Sequence, residues 1–221
     1  MCSSDLKKKR YACLYYDKDG RREDAEKTGK IKIMGIETQR SDTPVWVQEK
    51  LKEMIYLTLD KYSEDETIAF ITKMRTEFEK LPAWEKGTPK RVNNLTHYNT
   101  VYLSGGKNDQ GKTVTIPGHV RASINWNRVR DAHNDYDSTQ IMDGQKVIVC
   151  KLRPNNYGIT SMAYPIDQHN LPTWFTDLPF DNSTMIEAII DKKVANIIGV
   201  LNWDLSKSKE SEVMKSMFSW G

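Results

Sequence analysis

The sequence predicts an α+β fold, and three observations carry the prediction: a charged hairpin pattern near the start, two apolar helical stripes separated by a capping signal, and a change after residue 99 to short β-rich runs. Lys9 to Tyr16 alternates and is rich in β-formers, Asp17-Lys18-Asp19-Gly20 has Asp-Gly turn chemistry, and Lys30 to Met34 alternates again with Ile31 and Ile33 on one side. This spells a β-hairpin with a long charged connection. A two-stranded ribbon is marginal alone in water, so residues 1–35 are expected to need another sheet to join, and without it to leave an open strand edge and an exposed apolar face around Leu14, Ile31 and Ile33.

Thr43-Pro44 reads as a helix start because proline suits the first helical position, and Val47, Leu51, Met54, Ile55 and Leu59 then recur on one face. Ser63 and Glu66 fit a capping box, and the stripe Ile68, Ile71, Met74, Phe78 and Leu81 follows until Pro82 ends it. Residues 44–81 thus predict a helical hairpin. From Asn99 to Pro165 the runs Thr113–Ile116, Val120–Asn127, Lys146–Leu152 and Ile159–Tyr164 read as strands. Ser183 to Trp203 reads as a last amphipathic helix, apolar at Ile186, Ile190, Ile197 and Leu201, before a polar stretch that ends in Met217, Phe218 and Trp220.

Composition narrows the function classes. Of the 221 residues 38% are hydrophobic and 29% charged, and no run reaches the roughly 18 apolar residues of a spanning helix. The three cysteines, Cys2, Cys13 and Cys150, share no metal-ligand spacing, and Cys13 and Cys150 read as small buried hydrophobes of a reducing cytoplasm. The net charge of +3 is unevenly spread, with 11 Lys and Arg against 7 Asp and Glu in the first forty residues. The basic end is where a phosphate backbone is to be sought.

Several tempting motifs have plainer readings. Gly106 to Thr113 matches a phosphate-loop pattern, but three β-branched residues and then Pro117-Gly118 follow, so a Gly-rich hairpin turn is expected in place of the helix such a loop requires. Asp17, Asp19, Gly20 and Glu26 fall on calcium-loop positions, but Tyr15 stands at the first of these. Asp131, His133, Asp135 and Asp137 read as a solvated loop in preference to a metal site.

Two stretches carry a resemblance. Lys8-Lys9-Arg10-Tyr11 and the run from Lys32 to Pro44 closely resemble the C-terminal third of family B replicative DNA polymerases of T-even-type bacteriophages, at the K-K-R-Y motif of the palm and at the palm-to-thumb junction. Asn93-Asn94, His119-Val120-Arg121, Trp126-Asn127-Arg128, Asp143 to Val147 and Tyr164-Pro165 keep that family's order. Val101 to Ile116 looks like an enlarged hairpin relative to it.

The resemblance implies a β-hairpin that completes a palm sheet (1–35), a mixed helical and β thumb (36–205), and a tail (206–221) whose Met217, Phe218 and Trp220 form a plug for the sliding clamp. It further implies DNA contacts from Lys8, Lys9, Arg10, Tyr11, Asn93, Asn94, Tyr98, Arg121 and Lys192 to primer-template duplex. No catalytic residue or metal ligand is expected in this chain. The family's metal-binding aspartates lie upstream of K-K-R-Y, so Mg²⁺ belongs to the assembled active site, and an N-terminal subunit carrying exonuclease, fingers and remaining palm is the implied partner. The start at Met1, seven residues before Lys8, points to the second gene of a naturally split polymerase more than to a fragment of a longer chain. The implied place is the replisome in the host cytoplasm, with no membrane. A stand-alone nucleic-acid-binding module and a nucleotide hydrolase acting through Lys112 are the competing classes.

Overall fold

The structure, a computed structural model, describes residues 2–7, 10–15, 17–18, 21–22, 30–36, 38, 42–60, 63–201 and 203. It is an α+β chain, as the patterning predicts, and divides into two compact units, residues 1–80 with 186–221 and residues 81–185.

In the first unit β1 (Cys2–Lys7), β2 (Arg10–Tyr15) and β5 (Lys30–Met34) form an antiparallel sheet with β2 in the centre. The predicted hairpin pairs Ala12 with Ile33 and Leu14 with Ile31. Its connection holds a small ladder of β3 (Asp17–Lys18) and β4 (Arg21–Arg22). Two expectations are corrected here. The free edge of β2 is filled by β1 from this same chain, in register Cys2 with Leu14 and Ser4 with Ala12. The apolar face is covered too: Ala12, Leu14 and Ile33 are all buried, and α1 (Val45–Asp60) packs against β2. Within this unit the ribbon has its own cover.

Helices α1 and α2 (Glu64–Glu79) form the predicted helical hairpin. Val47, Leu51, Met54 and Ile55 on α1 and Ile68, Ile71, Met74 and Phe78 on α2 are buried, as the 3.6-residue period requires. The capping box is complete: the Glu66 N–H donates to Ser63 Oγ at 3.3 Å and the Ser63 N–H to Glu66 Oε2 at 2.8 Å. The Ser63 N–H bond, with a second from Ser63 Oγ to the same carboxylate oxygen at 2.9 Å, holds the Glu66 carboxyl below its ordinary value.

The second unit is built on β6 (Thr88–Arg91), β7 (Lys146–Lys151) and β8 (Ser161–Pro165), an antiparallel sheet with β7 central. A 3₁₀ turn over Ala83–Lys86 leads into β6. Helix α4 (Gly118–Ala132) packs on β8 and β7, α3 (Leu95–Leu103) packs on α4, and the short α5 (Thr173–Thr176) brings Phe175 into the core. Trp126 and Phe175 are both fully buried and meet edge to face at 5.3 Å, with Tyr164 and Phe180 also on the Phe175 ring.

Helix α4 overturns a strand assignment. Val120, Ala122, Ile124 and Trp126 alternate with polar residues, which reads as a strand over 120–127. In the helix the intervening Ser123 and Asn125 are buried as well, and both are satisfied: Ser123 Oγ donates to His119 O at 2.9 Å and Asn125 Nδ2 to Ser161 O at 2.9 Å. A helix covered on more than one side loses its 3.6-residue signature. Residues 99–103 likewise belong to α3, and 113–116 contribute only a single bridge, from Thr113 to Lys107.

The last helical segment is α6 (Asn182–Ile186), a π-turn (Glu187–Asp191), α7 (Lys192–Ile198) and a 3₁₀ turn (Gly199–Leu201). Among the described residues no helix is long and apolar enough to cross a membrane.

Candidate nucleic-acid interface

On the first unit, Tyr11 is half-buried on the central strand, between Asp5 and Met34. Its neighbour Ala12 faces α1, so by strand alternation Tyr11 shares the opposite face with Met34, which is 45% exposed. Arg10 is placed by its backbone alone, paired with Lys7. Lys8, Lys9, Met217, Phe218 and Trp220 lie outside the described residues.

On the second unit the exposed pair Asn93-Asn94 forms the corner between β6 and α3. Asn94 adopts the left-handed conformation (φ 59°), which asparagine tolerates better than most residues. The corner is held by the Asp143-Gly144-Gln145 turn. Val92 N–H donates to Gln145 O at 2.9 Å, Gly144 N–H to Val92 O at 2.7 Å, and Leu95 N–H to Asp143 Oδ1 at 3.2 Å. The Asp143 carboxylate thus occupies the N-terminus of α3, where an anion would otherwise be welcome. Tyr98, one turn on, is half-buried against the core with its ring edge-on to His97 at 5.2 Å.

Two basic residues, one on β6 and one on β7, stand beside this corner. Arg91 and Lys146 are direct cross-strand partners, a like-charge pairing that destabilises a sheet unless a counter-charge approaches. Burial and the nearby Lys90 charge lower the pKa of His119, and Arg121 stands exposed two residues farther along α4. Lys192 is exposed on α7 of the other unit, 3.6 Å from Glu187.

The turn that resembles a phosphate loop is a closed hairpin. Gly105, Gly106 and Gly111 have positive φ, and one side chain takes up the free amides: Asn108 Oδ1 accepts from Gln110 N–H at 3.1 Å and Lys112 N–H at 2.9 Å. Gly106 N–H donates to Val101 O and Gly111 N–H to Asn108 O, both at 2.8 Å. Four of the loop amides, those of Gly106, Gln110, Gly111 and Lys112, thus already have acceptors. Pro117-Gly118 does not forbid a helix, as the sequence suggests; it opens α4, with Pro117 in the cap position, but five residues too late to serve the Lys112-Thr113 pair.

The Asp131 to Asp137 stretch runs from the end of α4 into an exposed loop, as expected, with only Asp135 partly buried, and its side chains are held locally. The His133 ring stacks on Trp174 at 5.7 Å and its Nε2 lies 2.9 Å from the Tyr157 hydroxyl. Asp135 Oδ2 accepts from Ser138 Oγ at 2.6 Å and from Trp174 Nε1 at 2.8 Å. Burial opposes the charged form of Asp135, but these bonds outweigh it and hold the carboxyl below its ordinary value. Among the described residues no group of three or more His, Cys, Asp or Glu side chains is placed to hold a metal ion. Cys150 is fully buried, its Sγ 3.4 Å from Trp84 O, and burial pushes its thiol up, away from reactive thiolate.

Sequence reading missed Arg75 and Asp191. Asp191 reads as a polar-side neighbour of Lys192, yet it is buried and paired with Arg75, whose Nη2 donates to Oδ2 at 3.3 Å and whose Nε lies 3.2 Å from Oδ1. The available signal was the spacing of the isoleucines. Ile186, Ile189 and Ile190 form one apolar triplet and Val194, Ile197 and Ile198 another, eight residues apart where a straight α-helix repeats its face at about seven.

No protein-family model matches the chain. Over 159 residues, 72% of its length, it is 34% identical to the DNA-directed DNA polymerase of Escherichia phage RB69 and 33% identical to that of Enterobacteria phage T4. Most of this chain is homologous to one region of phage DNA polymerases. It spans 16% of the length of each of those relatives. Within this polymerase-related region the Trp126-Asn127-Arg128 motif is architectural: Trp126 Nε1 donates to Thr139 O at 2.9 Å, Asn127 bonds the Ile141 backbone, and Arg128 lies over the Tyr102 ring at 4.8 Å.

Proposed function

We propose that this chain is the end of the palm and the thumb of a family B DNA polymerase, gripping primer-template product duplex while the catalytic carboxylates and their Mg²⁺ ions are held by residues outside it. The observation that carries the reading is the identity, over 72% of the chain, to a region making up 16% of two phage polymerases. The contribution proposed for this chain is binding and orientation. Lys8, Lys9, Arg10 and Tyr11 approach the primer end. Minor-groove acceptors lie at nearly equivalent places in every Watson–Crick pair, so a lysine donor there tests pair geometry without reading sequence. Asn93, Asn94, Tyr98, Arg121 and Lys192 contact phosphates, which position the duplex but carry no base information. The chain acts in the host cytoplasm with a polypeptide that supplies exonuclease, fingers and the rest of the palm, and Met217, Phe218 and Trp220 dock on a sliding clamp.

Primer extension with the chain alone, a polypeptide bearing the remaining polymerase regions alone, and the mixture tests this. Templated incorporation is expected in the mixture and none from this chain by itself. Robust incorporation by the purified chain with Mg²⁺, or a mixture no better than the partner alone, would refute it.

A further inference from the structure

We infer that the π-turn at Glu187–Asp191, together with the Arg75–Asp191 pair, sets the sign of the charge that the last helix presents to a nucleic-acid backbone. The inference rests on the duplex-gripping reading of Lys192. Eight residues at about 100° each leave the second isoleucine-rich triplet about 80° out of phase with the first in a straight helix. The π-turn absorbs one residue and lets both triplets bury, and Ile186, Ile189, Ile190, Val194, Ile197 and Ile198 are indeed all buried.

The phase correction decides where the three charged residues between the triplets point. Had the helix stayed straight in phase with the first triplet, Asp191 would face away from the core and Lys193 would point into it. With the π-turn, Asp191 and Lys193 flank the buried face and Lys192 stands opposite it. The contacts fit this in detail. Asp191 forms an ion pair with Arg75 on α2 and accepts a bond from its Nη2, and Lys193 Nζ donates to Thr43 Oγ1 at 2.7 Å near the start of α1. Lys192 keeps only a 3.6 Å ion pair with Glu187, in which both side chains are more than half exposed. Such a pair is weak and yields readily to a phosphate. An acid that would repel a phosphate is turned in and neutralised, and the lysine beside it is turned out. Arg75 is therefore a positioning residue for Lys192, with no contact of its own to the duplex.

The test is binding of the full chain to a labelled primer-template duplex across a salt series, with thermal melting to establish folding. Each phosphate contact adds about one to the slope of log affinity against log salt. Lys192→Ala is expected to lower that slope by about one. Arg75→Gln, which takes the guanidinium charge away from Asp191, is expected to lower it similarly, and Asp191→Asn added to Arg75→Gln is expected to restore it. That rescue separates charge control from a phosphate contact made by Arg75 itself, which no change at Asp191 would replace. If Arg75→Gln does not fold, the neutral double variant still decides, because a folded double variant with a lowered slope overturns the inference. An unaltered slope in folded Arg75→Gln overturns it alone. An unaltered slope in Lys192→Ala overturns it together with the phosphate role of Lys192.

Discussion

One side chain holds both polar groups of Ile141: Asn127 Nδ2 donates to its carbonyl at 2.9 Å and Asn127 Oδ1 accepts its N–H at 2.8 Å, as a neighbouring strand would. Arg130 Nε adds a bond to Ser138 O at 2.7 Å, so α4 fixes the loop whose Asp143 in turn fixes the Asn93-Asn94 corner. At this scale two outcomes are expected. Lys112→Ala leaves activity of the assembled polymerase nearly unchanged, because the Gln110, Gly111 and Lys112 amides are already bonded to Asn108; Mg²⁺-dependent ATP binding that disappears in the variant would reverse that view. His119 titrates below its ordinary value of about 6.5, through burial first and the Lys90 charge second. The folded state thus binds that proton less readily than the unfolded one, so the associated stability is present above about pH 6.5 and lost as pH falls through the lowered value. His119→Gln should lessen the drop in Tm between pH 7.5 and mildly acidic pH, and an unchanged drop would show that other groups dominate.

At the scale of elements, the 3₁₀ turn joins β6 through Gly87, and a Cβ there would lie 2.4 Å from Ile148 Cγ2, 2.9 Å from Cys150 Sγ and 3.0 Å from Val149 O. The last of these is backbone and cannot step aside, so Gly87→Ala should destabilise by about 1–3 kcal/mol in urea unfolding, as overpacking does. A change within error would mean that β7 shifts freely. Helices α1 and α2 were legible in the sequence because each buries one face only and α2 opens on a complete capping box. Strand β1 was not, since Cys-Ser-Ser-Asp-Leu-Lys shows no alternation and owes its pairing to the β2 edge. The α4 assignment failed because buried, satisfied Ser123 and Asn125 mimic the polar half of a strand. The exposed candidates Asn93, Asn94, Arg121 and Lys192 were found through the resemblance, whereas Arg75 and Asp191 required the π-turn, which a straight-helix reading of 183–203 hides.

At the scale of the whole molecule, the clamp proposal predicts that deleting residues 214–221 shortens synthesis per binding event only when clamp is present; an equal loss without clamp would count against it. The division into units carries a further consequence. The second unit is one continuous stretch, 81–185, while the first is assembled from 1–80 and a segment that begins at Ile186. On a translating ribosome at about 5–20 residues per second, the sheet and helical hairpin therefore wait on the order of ten seconds for the isoleucine-bearing segment that completes their core. A ribosome-stalled nascent chain that exposes residues 1–185 should show protease protection confined to 81–185, with residues 1–80 still cleaved. Protection of both would mean that the first unit closes early, before Asp191 has been made to meet Arg75.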